Sequence, residues 1–284
     1  MKTIIENRQY DEERALYNTV DAYIKNCVFA GEADGESVLK ESRDISIYDS
    51  SFSLRYPLWH VKKFEMINSK MDEKTRAAIW YSDDGVINNC YLYGVKAVRE
   101  CNRILVCDSN VNSTEFGWKS SNITLKNTKI ESEYLFLDSK NIELLNVNMK
   151  GKYSFQYING LTITNSVLDT KDAFWHSKNV TVKDSTIKGE YLAWFSENVT
   201  LINCRIIGTQ PFCYCKNLKL INCTMEEADF AFEYSEVEAD IVGNVISIKN
   251  PKSGVITVDS VDEIINDNPV MACNGKVVVR NDEK

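Results

Sequence analysis

Apolar and polar residues alternate along most of this chain in a motif that recurs every 19 residues. Each copy has apolar residues four and two positions before an Asn or Asp, which we call the corner residue. A small residue follows the corner, and another apolar residue stands three positions after it, as in segment 122–130 around Asn127. The corner residues are Asn26, Asp49, Asn68, Asn89, Asp108, Asn127, Asn146, Asn165, Asp184, Asn203 and Asn222. Their spacing is 23, 19 and 21 residues, then seven steps of 19, which indicates a repeat architecture.

The motif predicts short strands joined by tight corners. Alternation with a period of two is typical of a strand with one buried face, and Asn or Asp tolerates the left-handed backbone of a corner. Three strands and three corners in 19 residues make one coil. We therefore predict an all-β, single-stranded, right-handed parallel β-helix of about 12 coils, capped at both ends. The six-residue period of a left-handed β-helix and the Leu-x-x-Leu of leucine-rich repeats are absent.

The domain organisation follows from the part of the chain in which the 19-residue repeat is regular. Residues 1–21 break the pattern and are predicted to be an N-terminal cap. Residues 22–235 are predicted to form the β-helix coils, and residues 236–284 the last irregular coils and a C-terminal cap. No Pro/Ser-rich linker interrupts the repeat, so we expect one domain overall.

Composition narrows the function classes. The net charge of −8 and the pI near 5.0 argue against nucleic acid and anionic membranes as partners. The N-terminus lacks an apolar signal core and no run of 18 apolar residues occurs, so we expect a cytoplasmic protein. The nine cysteines are then expected to be thiols. Because Cys213 and Cys215 are too close for the usual zinc spacing and only two histidines are present, we expect no metal and no cofactor.

Four strings carry a resemblance to a known family. They are segments 55–60 (Arg-Tyr-Pro-Leu-Trp-His), 151–157 (Gly-Lys-Tyr-Ser-Phe-Gln-Tyr), 172–176 (Asp-Ala-Phe-Trp-His) and 208–214 (Gly-Thr-Gln-Pro-Phe-Cys-Tyr). With them the chain resembles, over nearly its whole length, a bacterial family of unknown function, number 3737, in the pectin-lyase-like right-handed β-helix superfamily. The resemblance implies the fold and no functional residues. Since the superfamily contains lyases and glycosidases, it also implies carbohydrate as the substrate class, by analogy.

The third strand of each coil holds the aromatic residues. Its alternate residues must face opposite ways, and we place the set rich in small and aliphatic residues inside, including Trp175 and Trp194. The other set is then expected to form an outward aromatic strip that binds a ligand. The predicted binding residues are Tyr134, Phe136, Tyr153, Phe155, Tyr157, Phe174, Tyr191, Phe195, Gln210, Phe212 and Tyr214. The reversed orientation, in which these rings form the core, stays open.

Three functions remain open at this point. Binding of an oligo- or polysaccharide by the aromatic strip is preferred, and a scaffold or homo-oligomer that uses the same strip is the alternative. The third is a polysaccharide lyase or glycoside hydrolase, with Asp172, Glu190, Lys171 and His176 as catalytic residues, because close carboxylates can divide acid and base roles. His60 and His176 share a position and both follow Trp, which favours a recurring packing solution. No nucleotide-binding, hydrolase-elbow or zinc-protease motif is present.

Overall fold

The computed structural model describes residues 2–280, and among these every regular element is a β-strand. The chain divides into two compact units, Met1–Asn148 (unit 1) and Met149–Lys284 (unit 2). Both units are built from parallel β-helix coils, which confirms the predicted fold class. Within residues 2–280, no helix has the length and apolarity needed to cross a membrane.

Unit 1 contains three parallel sheets. Its first sheet runs β1-β3-β5-β8-β11-β14-β16-β18, its second β2-β4-β6-β9-β12-β15-β17, and a short third sheet joins β7, β10 and β13. The strands are β1 (Thr3–Glu6), β2 (Gln9–Tyr10), β3 (Val20–Lys25), β4 (Val28–Phe29), β5 (Arg43–Tyr48), β6 (Ser51–Phe52), β7 (Leu58–Trp59), β8 (Lys62–Ile67), β9 (Lys70–Met71), β10 (Ile79–Trp80), β11 (Asp83–Asn88), β12 (Tyr91–Tyr93), β13 (Val98–Arg99), β14 (Asn102–Cys107), β15 (Asn110–Asn112), β16 (Ser121–Lys126), β17 (Lys129–Glu133) and β18 (Lys140–Leu145).

Unit 2 continues with two parallel sheets. The first runs β20-β22-β24-β26-β27-β28-β29 and the second β21-β23-β25-β26. Its strands, after β19 (Asn148–Lys152), which starts at the last residue of unit 1, are β20 (Asn159–Thr164), β21 (Val167–Lys171), β22 (Lys178–Lys183), β23 (Thr186–Lys188), β24 (Glu197–Ile202), β25 (Arg205–Ile207), β26 (Lys216–Glu226), β27 (Glu236–Lys249), β28 (Ser253–Ile265) and β29 (Lys276–Val279).

The coils outnumber the expectation of twelve. Eight first-sheet strands in unit 1 and seven in unit 2 give about 15 coils among the described residues. One additional coil comes from β1 and β2, which pair in register with β3 and β4. Others come from β27, β28 and β29, which keep the parallel pairing after the 19-residue rhythm has loosened. Backbone pairing thus extends beyond the segment in which the side-chain pattern is readable.

The corners and the core follow the motif. Asn127 and the other ten predicted corner residues have positive φ, as does Asn7 in the added first coil. Their side chains form ladders between coils: Asn146 Nδ2 donates to Asn127 Oδ1 at 2.9 Å in unit 1, and Asn222 donates to Asn203 at 2.9 Å in unit 2. The small and apolar positions after each corner are buried throughout, as predicted.

In unit 2 the third segment of the coil is not the strand that we predicted, whereas in unit 1 part of this segment forms the short third sheet. In unit 2 every second residue of this segment has positive φ, for example Asp172 (51°), Phe174 (62°) and His176 (54°). This left-handed backbone changes which way each side chain points, so the two faces no longer alternate. In this coil Ala173, Phe174 and Ser177 are buried, Trp175 is half-buried and His176 is exposed. Neither orientation considered from the sequence is therefore correct.

A serine column stabilises the buried side of this segment. Ser177 Oγ donates to the Phe155 carbonyl at 2.7 Å, and Ser196 and Ser235 donate in the same way to Phe174 and Phe212. These hydroxyls supply a partner to buried carbonyl groups that the left-handed residues turn away from the strand ladders. The column explains why Ser recurs at this inward position.

Candidate functional site

Unit 2 exposes a ladder of aromatic rings along its third segment. The rings belong to residues eight positions before successive corner residues, and we call this set the ring column: Tyr157, His176, Phe195 and Tyr214. Adjacent ring centroids are 5.0, 5.1 and 4.7 Å apart, with interplanar angles of 9°, 9° and 12°. Tyr234 extends the ladder at 5.3 Å with a tilt of 39°. Tyr157 is 54% exposed and Phe195 44%, so the ladder lies at the surface.

The backbone sets the spacing of the ring column. The His176 N–H donates to the Trp194 carbonyl at 3.0 Å, and the Phe195 N–H donates to the Cys213 carbonyl at 3.1 Å. Each ring residue is thus tied to the next coil at the position directly before the following ring. Because parallel coils repeat at the strand spacing of about 4.8 Å, the rings meet at stacking distance.

Stacked indoles form a second column beside the rings. All five tryptophans of the chain stand nine residues before a corner, and we call this position the indole column. In unit 2, Trp175 and Trp194 stack at 5.5 Å with an angle of 6°. Their Nε1 atoms donate to the carbonyls of Tyr191 and Gln210, at 2.7 and 2.8 Å. Gln156 occupies the same position one coil earlier and donates to the Asp172 carbonyl at 3.2 Å.

The two columns present ring edges to solvent. His176 has Tyr157 against one face and Phe195 against the other, and Phe195 has His176 and Tyr214. Ring faces inside the ladder are therefore occupied by other rings. A ligand meets C–H groups, the hydroxyls of Tyr157 and Tyr214 and the imidazole edge, repeated once per coil. This arrangement suits hydrogen bonding to a periodic ligand better than face-on stacking.

A polar column borders the indoles on the other side. It consists of Asp172, Tyr191 and Gln210 on successive coils, linked by backbone hydrogen bonds such as that from the Asp172 N–H to the Glu190 carbonyl at 2.9 Å. Asp172 is only 8% exposed. Burial raises the pKa of its carboxyl group; the adjacent Lys171 charge lowers it, and the Glu190 charge raises it.

The predicted catalytic residues are only partly brought together. Asp172, Lys171 and Glu190 are close enough to interact electrostatically, as expected for adjacent coils. His176 instead belongs to the ring column, on the other side of the indole column. That His176 acts together with Asp172, Lys171 and Glu190 in one catalytic site stays a prediction.

Four of the predicted binding residues were wrongly placed at the surface. Phe136, Phe155 and Phe212 are 0% exposed and Phe174 is 1% exposed. Phe155 and Phe174 stack at 5.3 Å, and Phe212 stacks with Phe232 at 5.8 Å. The left-handed backbone at these residues directs the rings into the core, where they stack along the coils. Conversely, Trp175 and Trp194, expected inside, lie half-buried at the surface.

The remaining predicted binding residues keep an accessible side chain. Tyr134, in unit 1, is 37% exposed, and its carbonyl accepts a hydrogen bond of 2.7 Å from Trp118 Nε1. Tyr153 in unit 2 is half-buried, with the Lys152 ammonium 5.6 Å from its ring centroid. Their binding roles, like those of the exposed ring-column residues, stay predictions.

Apart from His60 and the tryptophan before it, the sequence reasoning missed the residues of unit 1 that occupy the same two columns. There the ring column consists of Glu41, His60, Tyr81, Glu100, Lys119 and Asp138, all with positive φ. Trp59 and Trp80 stack beside it at 5.3 Å. The shared position of the five tryptophans could have revealed both columns before the structure was known. Within residues 2–280, no three His, Cys, Asp or Glu side chains cluster in a way that would hold a metal ion.

Solved structures with a similar fold include an adhesin and an epimerase. PfbA, a surface adhesin of Streptococcus pneumoniae, has 9% sequence identity and a TM-score of 0.38, with 81% of this chain and 75% of that chain covered. The A-module of a mannuronan C-5 epimerase from Azotobacter vinelandii has 10% identity and a TM-score of 0.33, with coverage of 97% and 89%. At such TM-scores these matches do not indicate what the chain binds. No curated protein matches the sequence, whereas a family described as Protein of unknown function (DUF3737) matches residues 3–278.

Proposed function

Since the chain belongs to the family described as Protein of unknown function (DUF3737), we propose a function from the geometry of unit 2: it binds an extended carbohydrate chain that lies along the ring column. The observation that carries the proposal is the exposed ladder, whose edges repeat every 4.7–5.1 Å from Tyr157 to Tyr214. This repeat is comparable with the length of one pyranose unit in an extended polysaccharide. Successive sugar units would meet equivalent edges.

The groups along the ladder have the chemistry that sugar hydroxyls need. Tyr157, His176 and Tyr214 supply polar atoms at their ring edges, and Phe195 supplies an apolar edge for sugar C–H groups. Across the indoles, the half-buried Gln210 supplies an amide group. Carbohydrate sites combine aromatic surface with such polar groups. A second copy of the chain is the competing occupant, because an exposed aromatic surface also suits a protein interface.

The decisive experiment removes edge hydroxyls without disturbing the stacking. A glycan array identifies the ligand, and calorimetric titration compares the wild type with Tyr157→Phe and Tyr214→Phe. Each hydrogen bond contributes about 0.5–1.5 kcal/mol, so each substitution is expected to weaken binding about two- to tenfold. Tyr91→Phe, at a 50% exposed tyrosine of unit 1, is the matched control and should leave the affinity unchanged.

Two results would contradict the proposal. Equal affinity of both tyrosine variants and the wild type would remove the ring column from the binding site. A concentration-dependent dimer in light scattering that dissociates on Phe195→Lys substitution would assign the surface to a second copy of the chain instead.

A lyase or hydrolase site at Asp172, Lys171 and Glu190 would be detected as product release from the glycan that the array identifies.

A further inference from the structure

Unit 1 has a cavity where its ring column carries polar residues. The cavity measures about 340 Å³ and is lined by Glu41, His60, Lys62, Tyr81 and Asp83. It is open to solvent, since the side chains of His60 and Glu41 are 44% and 41% exposed. Its volume is in the range of small-molecule sites.

A carboxylate holds the imidazole in this cavity. Glu41 Oε1 lies 3.1 Å from His60 Nδ1. Because an ionised carboxylate only accepts hydrogen bonds, the proton of this contact belongs to Nδ1. Neutral His60 therefore keeps its acceptor lone pair on Nε2. The two histidines of the chain thus differ: His60 is held by a hydrogen bond, whereas His176 is stacked between two rings.

The Tyr81 side chain is fixed by contacts with Trp80, His60 and Glu100. Its ring stacks on Trp80 at 5.0 Å and meets the His60 ring edge-on at 5.3 Å. A hydrogen bond to Glu100 is the largest cause of the raised pKa of Tyr81. Partial burial raises the pKa of Glu100, but hydrogen bonds from Tyr81 and Arg99 outweigh it and lower that pKa. Tyr81 and Glu100 are thus arranged as a neutral donor and a charged acceptor.

The lining matches a ligand with several hydroxyl groups. Glu41 and Asp83 are acceptors and Lys62 is a donor, and His60 Nε2 is a further acceptor. Lys62 and Asp83 sit side by side as register partners of β8 and β11. By formal count, with His taken as neutral, the five lining residues carry a net charge of −1. This charge disfavours a carboxylated or phosphorylated ligand.

We propose that this cavity is a separate binding site for one neutral sugar ring, with a ligand hydroxyl donating to His60 Nε2 and the carboxylates of Glu41 and Asp83 accepting from others. The site lies within unit 1 and does not depend on the proposed function of unit 2. Each site is removed by its own substitutions, so the failure of one is distinguishable from the failure of the other.

The test uses the two histidines as reporters. Two-bond ¹H–¹⁵N correlation spectra of the ¹⁵N-labelled full chain show two imidazoles, and His60→Gln assigns them. Glucose, galactose and mannose are titrated as neutral probes, and galacturonate and inorganic phosphate as anionic ones. We expect at least one neutral hexose to shift the Nε2 signal of His60 and to leave that of His176 unchanged. Glu41→Gln should weaken this binding at least fivefold.

Controls make each outcome decisive. Glu131→Gln, an exposed carboxylate of unit 1 outside the cavity, should bind as tightly as the wild type. Absence of any hexose-dependent shift at His60 overturns the proposal, as does a response to galacturonate or phosphate alone. Unchanged affinity in Glu41→Gln also overturns it, provided that the His176 signal shows the variant to be folded.

Discussion

Left-handed backbone at large side chains defines the third segment of each coil in unit 2. The residues there with positive φ are Tyr153, Phe155, Tyr157, Asp172, Phe174, His176, Tyr191, Ala193, Phe195, Gln210, Phe212, Tyr214, Phe230, Phe232 and Tyr234. None of them is Val, Ile or Thr. A β-branched side chain is strongly disfavoured in this region, because its second branch crowds the backbone. The choice of residue types therefore reflects backbone conformation as much as burial.

A matched pair of substitutions at Phe195 isolates this effect. Phe195 has φ of 59° and is 44% exposed, so burial contributes little to the difference between two aliphatic replacements. Phe195→Ile is expected to be about 1–2 kcal/mol less stable than Phe195→Leu, because only isoleucine is β-branched. Urea denaturation of both variants measures the difference. Equal stabilities would mean that the segment relaxes to ordinary backbone.

The buried carboxyl group of Asp172 makes a pH-dependent contribution to the stability of the folded chain. Its pKa in the folded chain is raised from an ordinary value of 3.8, mainly by burial, so the folded chain binds the proton more tightly than the unfolded chain. The resulting stability is present below the unfolded pKa and is lost as the pH rises through the folded pKa. Asp172→Asn stays neutral and should lack this loss. Its melting temperature relative to the wild type is therefore expected to increase between about pH 3 and pH 7. A difference that is constant with pH would contradict the assignment.

At the scale of the element, the third segment shows what the sequence could and could not predict. The first two strands were predicted because, after one left-handed residue near the start of the first strand, their backbone is extended and period-two alternation maps directly onto faces, as at Leu161 and Ile163. The third segment has the same apparent alternation, yet Phe174 and Trp175 exchanged their expected sides. Period-two reasoning assumes extended backbone, which fails where φ is positive. The absence of β-branched residues was the available signal, and it concerns backbone conformation, not polarity.

The indole column has a second signal that sequence reasoning missed. Four of the indole-column residues donate a hydrogen bond to a carbonyl 16 residues later: Trp118 to Tyr134, Gln156 to Asp172, Trp175 to Tyr191 and Trp194 to Gln210. This constant separation results from a 19-residue coil in which the indole leans across to the neighbouring column. The repeated positions of these residues thus locate the candidate site, whereas the amino-acid composition indicated only that the chain is rich in aromatic residues.

Tryptophan-to-phenylalanine substitutions test the role of these hydrogen bonds. Trp175→Phe leaves the Tyr191 carbonyl without its donor and should cost about 1–3 kcal/mol in unfolding free energy. In unit 1, Trp59 Nε1 is buried and has no hydrogen-bond partner among the described residues. Trp59→Phe removes an unsatisfied donor and should therefore be about neutral. The comparison of the two unfolding free energies is the measurement, and equal losses would contradict this explanation.

At the scale of the whole molecule, each of the two units consists of coils that pair with their sequence neighbours within that unit. Within unit 2, for example, β22 pairs with β20 and β24. In such repeat proteins the stability is approximately a sum of coil and neighbour terms. A substitution that destabilises one coil should therefore also destabilise the adjacent coils, by an amount that decreases with distance along the unit.

Hydrogen exchange after Phe174→Ala tests this prediction. Phe174 is 1% exposed and stacks on Phe155, so truncation should cost about 3–5 kcal/mol. Amide protection is expected to fall most in β20, β22 and β24 and least in β27 and β28. Phe230→Ala, at a 39% exposed ring in the same unit, is the control and should change protection little. Uniform loss throughout unit 2 would instead mean that the unit unfolds as one cooperative body.

The paired tryptophans have an optical consequence. Indoles that lie parallel at 5.3 Å (Trp59 and Trp80) and at 5.5 Å (Trp175 and Trp194) are close enough for their electronic transitions to couple. Each pair should therefore shift the ultraviolet absorption of its indoles, with one pair in each half of the chain. Replacing one member of a pair removes that shift alone, so the two pairs are intrinsic chromophores with which the melting of either half can be followed without a label.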